Sequence, residues 1–200
     1  MPEALAQRPA IAAERGAPRG VRLAERSDLG KIDLRGDPTD RAFMAGVGRV
    51  LDLVLPSEPC SSSAKGQVTA LWCGPDQWLI TCAYGDVTLF MASLAEALEG
   101  VHAALTDVSD GRVAIRLAGP SARDVLAKGC PLDLHPRFFS SGTAAGSLLA
   151  KAEVLIHLVQ DGPKRGPVFD LYVARSYAAY LWAWLEDAGQ EYGVQIDPPA

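Results

Sequence analysis

The 200-residue sequence sets 19 Lys and Arg against 24 Asp and Glu, a formal net charge of −5, and is 48% hydrophobic and 22% charged. Those proportions are the globular norm and exclude a wholly disordered chain, and the length suits about one domain whose core needs no disulfide staples. Cations scattered within an acidic balance exclude a duplex-binding surface and a polybasic membrane patch.

Residues 1–20 (MPEALAQRPAIAAERGAPRG) hold three Pro, three Arg and two Glu, with no continuous apolar segment. They read as a flexible or partner-draped arm and not as a signal peptide. No uncharged apolar run approaches the ~20 residues that span a bilayer. The most apolar stretch, Ser176 to Leu185, is bounded by Arg175 and Glu186 and reads as a buried helix. The expected location is the cytoplasm.

Residues 21–197 read as a single α+β domain in which strand–strand–helix units repeat over largely antiparallel sheet. In the first unit, Val21–Glu25 and Lys31–Arg35 are predicted strands. Asp37 is placed at an N-cap, with Pro38 at the first helical position. The helix that follows would bury Phe43, Val47, Val50 and Leu51. Residues 56–66 (PSEPCSSSAKG) have loop composition. Val68–Cys73 and Trp78–Ala83 form a predicted hairpin around Gly74-Pro75-Asp76. Asp86 is placed as the cap of a helix with the stripe Val87, Phe90, Met91, Leu94 and Leu98, ended by Gly100.

The third unit pairs Leu105–Val108 with Arg112–Leu117, where Val113, Ile115 and Leu117 alternate with Arg112, Ala114 and Arg116. Gly119-Pro120-Ser121 then opens a short helix burying Ala122, Val125 and Leu126, and Gly129 ends it. In the last unit Ala152–Gln160 and Val168–Val173 are predicted strands. Ser176 is placed as the cap of a helix running to Ala188, and Gln190–Asp197 as a short returning strand. Four such units hint at an internal duplication, which periodicity alone does not establish.

Catalytic chemistry is sparse. The four cysteines, Cys60, Cys73, Cys82 and Cys130, form no CxxC pair. His102, His135 and His157 have no His or Cys partner at metal-binding spacing. His102 reads as surface. His157 shares a strand face with Leu155 and Val159 and reads as a satisfied core or interface histidine. Cys130 is the cysteine expected to be exposed, beside Lys128. No GxGxxG opens a helix and no GxxxxGK[ST] occurs, so no flavin or nicotinamide site is expected on this chain alone.

The run from Asp107-Val108-Ser109-Asp110-Gly111-Arg112 through Gly119-Pro120-Ser121-Ala122 to Lys128-Gly129-Cys130-Pro131-Leu132-Asp133-Leu134-His135-Pro136 resembles the gamma subunit of heterotetrameric sarcosine oxidase. The likeness takes in Gly74-Pro75-Asp76-Gln77-Trp78-Leu79 and the helix from Arg175-Ser176-Tyr177-Ala178 to Trp182-Ala183-Trp184-Leu185. It covers most of residues 40–195. It implies a fold similar to the folate-binding domain of the glycine cleavage T protein (aminomethyltransferase). Catalytic members of that wider group carry a Gly-x-Ile/Leu-x-Asp-Asp segment on the strand after the equivalent of Gly142. The corresponding region here is taken as Leu149–His157 (LAKAEVLIH), which lacks the paired aspartates. The resemblance thus implies a non-catalytic branch: an assembly subunit in a complex that oxidatively demethylates sarcosine to glycine with hydrogen peroxide and formaldehyde or methylene-tetrahydrofolate. It further implies FAD, covalent FMN and NAD on alpha and beta subunits, zinc on a delta subunit and tetrahydrofolate in the complex, with no cofactor held by this chain. Two other readings stay open, a free-standing folate-binding one-carbon protein of the T-protein type and an unrelated interaction module.

Four residues are candidates for a partner interface. Asp133 and His135 lie in a segment fixed by Pro131 and Pro136. On the last helix, Tyr177, Trp184, Leu185 and Ala188 fall within about 60° of Leu181, which leaves Tyr180 and Trp182 outside that stripe. Large aromatics left exposed on a short helix point to a partner.

Overall fold

The computed structural model describes residues 20–163 and 165–199. The arm expected over 1–20 thus lies, Gly20 apart, outside the described residues. Eleven strands and four helices follow one another among the described residues: β1 (Val21–Glu25), β2 (Leu29–Gly36), α1 (Arg41–Leu51), β3 (Ser62–Lys65), β4 (Val68–Gly74), β5 (Gln77–Ala83), α2 (Val87–Ala97), β6 (Ala103–Asp107), β7 (Arg112–Ala118), α3 (Ala122–Ala127), β8 (Ala144–Leu149), β9 (Ala152–Gly162), β10 (Gly166–Ala174), α4 (Arg175–Gly189) and β11 (Val194–Ile196). They build a six-stranded sheet, β11-β1-β7-β10-β9-β8, and a five-stranded sheet, β3-β4-β5-β2-β6. Pairing is antiparallel except between β1 and β11.

Period-2 alternation sends one set of side chains from each sheet to its helices. Ile115, Leu117, Phe169, Leu171 and Val173 pack with α3 and α4, whereas Ile32, Leu34, Trp78 and Ile80 pack with α1 and α2. The opposite faces meet each other through a smaller layer of Leu29, Leu71, Leu79, Ala114, Ala144, Leu155 and Tyr172. The result is helix, sheet, sheet, helix. Strand β10 is buried on both faces, which is why it reads as a near-continuous apolar run.

Several local expectations are corrected. The α1 cap is Asp40, whose carboxylate accepts from Ala42 N and Phe43 N, while Asp37 closes a turn with Thr39. Val50 is only partly buried. The Ser-rich loop contains the short edge strand β3, and β8 was not foreseen. Asp86 and Ser176 make no side-chain cap, the latter because α4 begins directly from β10 at Arg175. The strand following Gly142 is β8, not the Leu149–His157 segment; β8 contains no acidic residue. Cys130 is buried and Cys60 is the exposed cysteine.

The motif residues anchor strands. Asp107 accepts from Ser109 N at 2.9 Å, and Ser109 Oγ accepts from Lys31 N at 2.9 Å and donates to Lys31 O at 3.4 Å. This ties the end of β6 to the middle of β2. Gly119 sits at φ +125, where a Cβ would lie 2.4 Å from Gly20 O, so only glycine lets β1 enter beside the β7–α3 turn.

Candidate functional site

Where the two sheets face each other, their inner surfaces change from apolar to polar. Cα register places His157 opposite Asp170 and Asp170 opposite Arg116, so β9, β10 and β7 present three polar side chains in one row. Asp170 is 4% exposed and is held by a bidentate pair, Arg116 Nε to Oδ1 and Nη2 to Oδ2, both 2.8 Å. Arg26, just past β1, approaches Asp170 Oδ2 at 3.5 Å through Nη1 and grips Asp28 at 2.8 and 2.7 Å. The charges therefore alternate, Asp28, Arg26, Asp170, Arg116, and sum to zero. The Arg26 guanidinium holds the Asp28 carboxyl below the ordinary range.

Thr69 and Thr81 face this row from the other sheet, and a cavity of about 430 Å³ lies between them. Burial raises the Tyr172 phenol far above its usual value, and its hydroxyl is bonded to Thr81. His157 is 6% exposed and lines the same cavity. Burial pushes its pKa down to about 4, with Asp170 opposing and Arg116 adding to the shift. Its Nε2 lies 3.3 Å from Ser62 Oγ, while Ser62 Oγ stands 2.7 Å from Gly142 O. The hydroxyl has one proton, and the shorter contact, to a carbonyl, can only be a donation. Nε2 must then carry the hydrogen and donate to Ser62. The pair is not a poised nucleophile and base, because the serine proton points away from the imidazole. Nδ1 is left as a bare acceptor with no partner. His157 is thus buried, as its strand position suggested, but only half satisfied.

Sequence reasoning did not single out Arg26, Asp28, Arg116 or Asp170. The available signal was Asp170 itself, a carboxylate between Phe169 and Leu171 in a strand with no other charge from Val168 to Val173.

The four interface candidates separate. Trp182 is 5% exposed and packs in the core under α4, which corrects its expected exposure. Tyr180 is 39% exposed and Tyr177, expected inside, is 49% exposed. The buried stripe runs through Ala178, Leu181, Trp182, Leu185, Ala188 and Gly189. Small residues on that side let the helix settle closer to the sheet and rotate Trp182 inward. Asp133 and His135 are exposed and fix their own loop: Asp133 accepts from His135 N at 2.9 Å, and His135 Nδ1 accepts from Arg137 N at 3.2 Å. Arg123 of α3 ties that loop to the body through Leu134 O, Phe139 O and Asp161. Gly129 lies where a Cβ would come 2.5 Å from the Trp184 ring, so this loop and α4 are in direct contact. These residues do not converge on the inter-sheet cavity. Among the described residues no group of three His, Cys, Asp or Glu could hold a metal, and no helix is long and apolar enough to cross a membrane.

Comparison with known proteins agrees across the chain. The profile of the "Sarcosine oxidase, gamma subunit family" matches residues 35–191. Sarcosine oxidase subunit gamma of Corynebacterium sp. (strain P-1) is 31% identical over 176 residues, covering 88% of this chain and 83% of the relative. The subunit of Corynebacterium sp. (strain U-96) is 32% identical over 189 residues, covering 92% and 86%. A chain of the heterotetrameric sarcosine oxidase from Corynebacterium sp. U-96, solved with pyrrole 2-carboxylate, superposes with a TM-score of 0.80 at 27% identity, covering 90% of this chain and 88% of that one. The glycine cleavage system aminomethyltransferase T of Bartonella henselae superposes with a TM-score of 0.65 at 16% identity, covering 88% of this chain and 47% of that one, a likeness of fold. The fold read from the sequence and the profile along it thus agree, and the chain belongs to the sarcosine oxidase gamma subunit family.

Proposed function

We propose that this chain is the accessory gamma subunit of a heterotetrameric sarcosine oxidase, an assembly partner that contributes no catalytic group of its own. The observation that carries the reading is end-to-end likeness: the match spans 92% of this chain and 86% of a gamma subunit, and a sarcosine oxidase chain shares the fold with a TM-score of 0.80. The cleft adds support. Its charges cancel in pairs, and its Ser–His contact runs in the wrong direction for nucleophilic attack. In this reading alpha, beta and delta subunits carry FAD, FMN, NAD and zinc, and the complex, with tetrahydrofolate as one-carbon acceptor, demethylates sarcosine in the cytoplasm. Among the described residues no metal set occurs, and the sequence carries no phosphate-cradling glycine motif, which supports assigning those groups to the other subunits.

Tyr180, Asp133 and His135 are the partner-facing residues in this proposal, joined by Phe138, 71% exposed on the same loop as His135. Trp182, being core, is not part of that surface. The 21–197 segment acts as one unit in this proposal. Affinity purification from native cells is the test. Co-elution with larger, flavin-coloured chains that oxidise sarcosine is the expected result. A chain recovered alone, or one that binds folate as a monomer, overturns the reading in favour of the T-protein type.

A further inference from the structure

Strand β8 ends the six-stranded sheet, with β9 on one side and, among the described residues, no strand on the other. Leu158 N donates to Thr143 O at 2.9 Å, toward β8 from β9, while Ala144 N donates to Cys60 O at 3.0 Å on the opposite side. Hydrogen-bonding direction alternates along an antiparallel strand, so Gly146 and Leu148 turn their N–H and C=O outward as Ala144 does. The chain at Cys60 and Ser61 makes the first rung on that side, with a bridge from Ser61 to Thr143, and then turns away into β3, which pairs with β4. A ladder is thus begun on the open side of β8 and left unfinished at Gly146 and Leu148.

Open edges are ordinarily guarded by Lys, Pro or a bulge. β8 reads Ala-Ala-Gly-Ser-Leu-Leu, and its register against β9 runs without a shift, so it carries none of these. Gly146 is exposed, a Cβ built on it would meet nothing within 4 Å, and Leu148 is 56% exposed. Both border a groove of about 530 Å³ whose wall continues through Val154 and the half-exposed Tyr177. Arg112 and Lys151 stand on its lining against the single carboxylate of Glu153, so the groove is net positive on a chain of formal charge −5. The bare backbone specifies an extended chain, the groove an apolar side chain, and the lining charge an acidic one. We propose that the open edge of β8 takes a strand from a partner subunit, an extended segment that pairs with Gly146 and Leu148, sets an apolar side chain in the groove and places a carboxylate near Lys151. The proposal rests on the assembly reading above and names the edge of this chain that the assembly uses. A second copy does not fit. About a two-fold at Ser147 its Ala150, turning at φ +53, would fall opposite Ala144, where Cys60 already sits.

The test uses the full chain, alone and in the complex co-purified from cells. Leu148→Pro isolates the backbone rung: the Leu148 N–H points away from β9, so proline removes nothing that the subunit's own sheet uses. It should leave the thermal midpoint of the free chain nearly unchanged and weaken association by roughly tenfold or more. Leu148→Val, which keeps the N–H, should weaken it by no more than about threefold. Lys151→Glu should weaken it by roughly three- to tenfold at low salt and less at high salt. Hydrogen exchange at single-amide resolution needs no variant and decides the matter if Leu148→Pro does not fold. The Gly146 and Leu148 amides should exchange quickly in the free chain and at least roughly tenfold more slowly in the complex. If the subunits co-purify but Leu148→Pro assembles as well as the unmodified chain, or those two amides exchange alike in both states, this proposal falls while the assembly reading stands. Protection of the two amides already in the free monomer would put another part of the chain on the edge, and a dimer of the free chain that Leu148→Pro dissolves would put a second copy there. Either overturns the proposal. A chain recovered without partner subunits overturns both readings.

Discussion

Asp170 occupies the middle of a strand buried on both faces, and it is tolerated there because Arg116 and Arg26 reach it. Removing one partner of such a set strands the other charges. Asp170→Asn should therefore destabilise the protein by about 3 kcal/mol, read as a lower urea midpoint at unchanged slope. Asp170→Leu combined with Arg116→Met should recover part of that loss, since the apolar pair leaves one charge fewer unpaired. His157 gives a different signature. Its native pKa of about 4 lies below the ordinary 6.5, so the unfolded chain takes up the proton first as pH falls. Stability is then unaffected above pH 6.5 and declines as pH falls from 6.5 toward 4, by about 3 kcal/mol in total. His157→Leu should flatten that part of the stability–pH curve. An unchanged acid limb would mean that His157 is not the group taking up the proton.

At the scale of elements, α4 shows what periodicity resolves and what it does not. Its existence and length are legible, because nine of the ten residues between Arg175 and Glu186 are apolar or aromatic. Its orientation is not, because the contact face combines small Ala178, Ala188 and Gly189 with Trp182 and leaves Tyr177 and Tyr180 outside, so side-chain size does not mark it. Trp182→Glu should accordingly unfold the free chain or cost it at least about 4 kcal/mol, as burying an unpaired carboxylate does. Tyr180→Glu should change the thermal midpoint of the free subunit little and weaken assembly instead. If both variants leave stability alone, the helix is rotated from the orientation described. The missed strands have a related cause. β3 is Ser-Ser-Ala-Lys and β8 is Ala-Ala-Gly-Ser-Leu-Leu, compositions that say loop until neighbouring strands pair with them. The polar row was invisible for a like reason: Arg116 in an alternating strand reads as facing water, and only sheet stacking makes that face interior.

Across the whole molecule, two larger cores, one under each helix pair, are joined by a thinner layer of seven buried residues. That layer shares the interface with the charged row, so apolar contact there is limited and each member matters. Leu79 is 1% exposed in β5 and belongs to this layer, while its neighbours Trp78 and Ile80 point to the other side. Leu79→Ala removes buried area and leaves a cavity between the sheets, a loss of about 2–4 kcal/mol. If the thin layer makes the two halves one cooperative unit, amides of β5 and of β10 should exchange with the same opening free energy in the unmodified protein, and Leu79→Ala should lower both equally. Hydrogen exchange read by mass spectrometry on peptides from each sheet checks this. A fall confined to β5, with β10 holding its protection, would mean that the sheets open independently and that the six-stranded half stands without its neighbour.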